Sequence, residues 1–80
     1  SDTQRRVLVA LCRPLGVSAF EVPAPNRDIA DELHLSVDAV KAHLRALFER
    51  FELEHLPQNQ KRARLAATAL LHGIVAPHEL

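Results

Sequence analysis

Two cationic side chains one helical turn apart, Lys41 and Arg45, are the residues of this sequence best suited to recognition chemistry. Both residue types carry N–H donors that match the O6 and N7 acceptors on the major-groove edge of guanine. Ala42 stands beside them with almost no side chain. It lets a helix approach closely and offers a methyl group to the methyl of thymine. A second basic group, Lys61, Arg62 and Arg64, has the spacing of a helix start. Cations there oppose the helix dipole. A phosphate backbone would relieve that cost and add a salt-dependent attraction, whereas simple solvation is the alternative for the same residues.

The remaining polar residues assemble no reaction centre. His34, His43, His55, His72 and His78 lack zinc-ligand spacing. Nothing matches HExxH or a nucleophile elbow, and no glycine-rich phosphate loop exists. Asp28 with Glu32, and Glu49 with Glu52, suit helix surfaces better than a catalytic carboxylate pair. Cys12 is the single cysteine, so no internal disulfide forms, and it reads as a packed small hydrophobe. Neither an enzyme nor a resident metal, cofactor or small-molecule substrate is expected. The cysteine usage fits the cytoplasm. No apolar run approaches the roughly 18 residues that span a bilayer, so no membrane association is expected.

The elements that must position these residues read as helices, in one all-α domain over residues 1–80. With two glycines, three phenylalanines and neither Tyr nor Trp, the core must come from Leu, Val, Ile and Ala. A first helix is predicted over 2–13, with Ser1 and Gln4 as a capping box and Val7, Leu8 and Leu11 as its apolar stripe. Pro14 and Gly16 stop it. A connector over 14–25 follows, in which Phe20 and Val22 alternate like a short extended piece. A short second helix over 27–33 takes Asn26 as N-cap, with Asp28 favourable in its first turn. After the turn at His34-Leu35, Ser36 caps a third helix over 37–51. Pro57 opens a fourth, which Gly73 ends near His72; Ile74 and Val75 then trail off. Met is absent, even at position 1, so the stretch is expected to be cut from a longer protein or processed.

The third helix divides cleanly. With Val40 at zero and about 100° per residue, Leu44, Leu47, Phe48 and Phe51 share one arc, while Asp38, Lys41, Ala42, Arg45 and Glu49 share the opposite one. Ala30 and Ala39 allow the second and third helices to cross closely. A short helix, a tight turn and a longer amphipathic helix with exposed cations make the helix-turn-helix pattern, whose second helix enters the major groove. The fourth helix is apolar around its whole circumference. Its surplus face predicts a partner, most simply a second copy along Ala63, Ala67 and Leu70 or Leu71; burial in the core is the alternative. Net charge is zero, with ten Lys plus Arg against ten Asp plus Glu, so a DNA reader built this way must gather its cations on one face. Two rivals follow: a helical protein-interaction and dimerisation module without DNA binding, and a winged variant in which the 14–25 connector or the tail forms strands.

The run from Asn26 through Ile29-Ala30 and Leu35-Ser36 to Val40-Lys41-Ala42-His43-Leu44 resembles the LuxR/GerE-type helix-turn-helix. The ending from Ala69 to Gly73-Ile74-Val75 is similar to the family's closing segment. A looser resemblance connects it to helix-turn-helix segments of actinobacterial regulators with forkhead-associated domains. The resemblance implies a cytoplasmic transcription regulator that binds double-stranded promoter DNA, as a dimer through its last helices. Carried over by position, it implies base reading by Lys41, Ala42 and Arg45. It also implies phosphate contacts at Asn26, Arg27 and the third helix's start at Ser36, with His43 flanking the groove. The chain departs from the family in the connector over 14–25, in the long link before the fourth helix, and in Ala39 and Asp38.

Overall fold

Ser1 begins the fold by accepting the Gln4 N–H on its hydroxyl at 3.2 Å, which caps α1 (Asp2–Cys12). The buried stripe of α1 is Val7, Leu8 and Leu11 with Ala10 and Cys12. Pro14 cannot donate a backbone hydrogen bond, and the chain tightens into a 3₁₀ turn at Arg13–Gly16. The helices α2 (Asn26–Leu33), α3 (Val37–Arg50) and α4 (Gln58–Leu71) follow. The computed structural model describes residues 1–18 and 20–80, and the described residues contain no strand. The protein is all-α, as its composition predicts. No helix is long and apolar enough to cross a membrane.

α1 is the central element and packs against each of the other three helices. Leu11 and Val7 meet a core completed by Ile29 from α2, Val40 from α3, Leu65 from α4 and Val75 from the tail, all fully buried. Ala66 and Ala69 let α4 come close: the Cys12 thiol lies 3.9 Å from the Ala66 carbonyl. Burial pushes that thiol up to about 11, so it packs as a small apolar group.

Three helices end on one device. After α2, α3 and α4, the residues His34, Glu52 and Gly73 turn left-handed, with φ of 57°, 58° and 69°. The next residue then donates back into the helix: Leu35 to Ala30, Leu53 to Phe48 and Ile74 to Ala69, each at 2.9 Å. Orphan carbonyls are satisfied and the chain reverses sharply. His34 thereby sets the three-residue turn between α2 and α3, and Ser36 caps α3 by accepting the Ala39 N–H at 3.0 Å.

Three expectations change. Asn26 is the first residue of α2 and not its N-cap, a position held by Pro25 in extended backbone. The Asn26 side-chain oxygen instead accepts a hydrogen bond from Arg62 on α4. The connector forms no strand in its described part, and Ala19 lies outside the described residues. Ala24 fastens the connector's end by burying its methyl and donating to the Leu11 carbonyl at 2.9 Å, while Val17, Phe20 and Val22 stay exposed. The tail does not trail off. Val75 is buried, Arg5 donates to the Ile74 carbonyl at 2.8 Å, and Leu80 sits against Gly16, where a Cβ would lie 2.7 Å from Leu80 Cβ.

Candidate nucleic-acid interface

The core side of α3 is buried through Val40, Leu44, Leu47 and Phe48, which fixes the direction of everything opposite. Asp38, Lys41, Ala42, Arg45 and Glu49 are consequently exposed, as the helical period requires. His43 and Ala39 lie at the flanks, half-buried.

Beside this face is a depression of about 230 Å³ between α3, the start of α4 and the start of α2. Lys41 and Arg45 enter it from α3, and Lys61 and Arg62 from α4. Leu44 and Phe48 supply its apolar part; Asn26 and Gln58 complete the lining. Among the described residues, no carboxylate contributes to the lining. The sequence alone separates Lys61 from Lys41 by twenty positions, so this convergence is a product of the fold.

Each cation is held differently. The Lys61 ammonium lies 5.7 Å from the centre of the Phe48 ring, within cation–π range. The Arg62 guanidinium donates to the Asn26 side-chain oxygen and to the Ala24 carbonyl. Burial lowers the Arg62 pKa, yet an arginine keeps its charge at any ordinary pH. Among the described residues, neither Lys41 nor Arg45 forms an ion pair. The first turn of α4 contains no acidic residue, so its dipole adds to the positive potential there. Chemically the arrangement is an anion acceptor, and a phosphate group matches its charge and its planar donors.

The residues expected to act together divide into two groups. Asn26, Lys41, Arg45, Lys61 and Arg62 line one depression. Arg27, Ser36, Ala42 and His43 stand outside it: Arg27 and Ala42 exposed, His43 half-buried, and Ser36 engaged in capping α3. Along α4, Ala63, Ala67 and Leu71 are exposed, Leu71 by 81%, while Leu70 packs against the core. Sequence reasoning missed Phe48 and Gln58 as neighbours of the cations, and it missed the anchoring of Arg62. Phe48 carried a core signal only, and nothing local links position 62 to 24 or 26. Compared with protein-family models, curated proteins and solved structures, the chain matches none.

Proposed function

We propose that this chain is a sequence-specific duplex-DNA-binding domain, the cytoplasmic output domain of a bacterial transcription regulator of LuxR/GerE-like type. The observation that carries the reading is the convergence of Lys41, Arg45, Lys61 and Arg62 on one depression without a carboxylate, in a chain of zero net charge. Lys41, Ala42 and Arg45 face the base edges as α3 enters the major groove. Lys61 and Arg62 meet a phosphate beside the groove, with Asn26, Arg27 and the start of α3 at the neighbouring backbone. Two copies bind together, with Ala63, Ala67 and Leu71 of α4 facing each other. No metal or cofactor takes part.

The test is a titration of the chain against duplexes selected from a random pool, at low and at physiological salt. Affinity must fall steeply as salt rises. On the selected duplex, Lys41→Ala and Arg45→Ala each cost about 1–3 kcal/mol of binding and relax preference at one position. Binding that ignores both salt and these substitutions would leave the protein-interaction module as the better reading.

A further inference from the structure

One carboxylate stands where a DNA-binding helix should least tolerate it. Asp38 is exposed in the first turn of α3. On the helical projection it lies at about 160°, between Lys41 at about 100° and Ala42 at about 200°, with Arg45 close by at about 140°. It is therefore central to the outward face and in the helix end that comes nearest the bases. Among the described residues it forms no ion pair and no side-chain hydrogen bond, so its lone pairs are unspent.

We infer that Asp38 reads a base, accepting a hydrogen bond from the exocyclic amino group of a cytosine in the major groove. The inference rests on the DNA-binding reading above. A carboxylate repels phosphate, so contact with the backbone is unfavourable at any register. Within the groove it can only accept, and the N4 amino group of cytosine is the donor it suits. Thymine offers a carbonyl oxygen and a methyl in that place, and guanine offers two acceptors, so each would leave the carboxylate desolvated and unpaired. Adenine also has an amino donor, but its N7 acceptor stands beside that donor and repels a carboxylate, whereas the cytosine amino group has no acceptor next to it in the groove. Asp38 and Lys41 are three residues apart on one helix face, roughly 5–6 Å between Cβ atoms. That distance places the cytosine within a base step or two of the base Lys41 contacts. Asp38 thus converts a basic surface that would hold any duplex into one that rejects most.

Duplexes are selected from a random pool with the parent chain, with Asp38→Ala and with Asp38→Asn. Affinities are then measured on the parent's best duplex and on copies carrying T·A in place of each C·G pair. One such copy should bind the parent about tenfold more weakly. Asp38→Ala should bind that copy and the original about equally, while gaining affinity overall. Both variants should melt close to the parent, because Ser36 still caps α3. If Asp38→Ala gains equally on every duplex and keeps the parent's preference throughout, Asp38 serves only the helix dipole and the inference fails while the DNA reading stands. A parent that selects no sequence overturns both.

Discussion

Cations are used in opposite ways at two ends of this molecule. Around α1, Arg5 and Arg13 are each paired, with Glu79 and Glu32. Arg13 grips Glu32 with two N–H groups, at 3.0 and 2.9 Å, and donates to the Leu80 carbonyl at 3.1 Å. Between α3 and α4, by contrast, Lys41, Arg45, Lys61 and Arg62 share a depression with no carboxylate in its lining. Zero net charge therefore hides a partition. Arg5 and Arg13 at the α1 end are neutralised within the fold, whereas Lys41 and Arg45 at the α3 end form no ion pair among the described residues. Net charge by itself is a poor guide to nucleic-acid binding when pairing is this uneven.

Arg62 breaks the comparison most directly, because it belongs to both classes. Its hydrogen bonds join α4 to the connector at Ala24 and to α2 at Asn26, while its charge lines the depression. Arg62→Ala should lose about 1–3 kcal/mol of stability in urea or thermal unfolding, since the Ala24 carbonyl is left without its donor. Duplex affinity should fall as well. Arg62→Lys keeps the charge without the planar fork and should restore affinity more than stability. Equal recovery of both would mean that the two roles of Arg62 cannot be separated.

Arg13 offers the smaller, complementary measurement. Both Arg13 and Glu32 are more than one-third exposed, so their pair is screened by water, and Arg13→Ala should cost about 1 kcal/mol or less. Duplex affinity measured well below the melting temperature should be unchanged. A larger loss of binding than of stability would show that the α1 end also contacts the anion, and the partition would have to be redrawn.

How much of this was legible in the sequence follows from the range of the forces involved. Helical period and capping are local, and they placed all four helices within a residue or so of their observed ends and put Lys41 and Arg45 outward. Gly73 was legible as a stop because glycine adopts positive φ freely. His34 and Glu52 make the same turn without that signal; apolar residues flank both and pack on the core, Leu33 and Leu35 beside His34 and Phe51 and Leu53 beside Glu52. The tail was misread for a related reason. Its anchors, Arg5 and Arg13, lie more than sixty residues away, and nothing near Val75 or Glu79 announces them. At the candidate interface the same rule applies: the cations of one helix were visible as a face, but the meeting of α3 with α4 was not.

The tail provides the finest test of the partition, because it makes the α1 end sensitive to acid. The Glu79 carboxylate accepts the Ala76 N–H at 2.7 Å and faces the Arg5 guanidinium. The backbone hydrogen bond is the larger cause, and the two together hold its pKa below the ordinary 4.5. An unfolded chain therefore binds the proton more readily than the native one. Stability from Glu79 is complete above its unfolded value and disappears as pH falls through the lower native value. Glu79→Gln should melt lower than the parent at neutral pH, and the gap should close as the buffer is taken below about pH 4.5. Every other carboxylate is common to the two proteins, so the difference between their melting curves isolates this one. A second charge-neutralising variant, Lys41→Ala in the depression, should run parallel to the parent across that window. Parallel curves for Glu79→Gln would mean that the Glu79 charge contributes nothing, and that the tail is held by Val75 and Leu80 together with the Arg5 and Arg13 hydrogen bonds to its carbonyls.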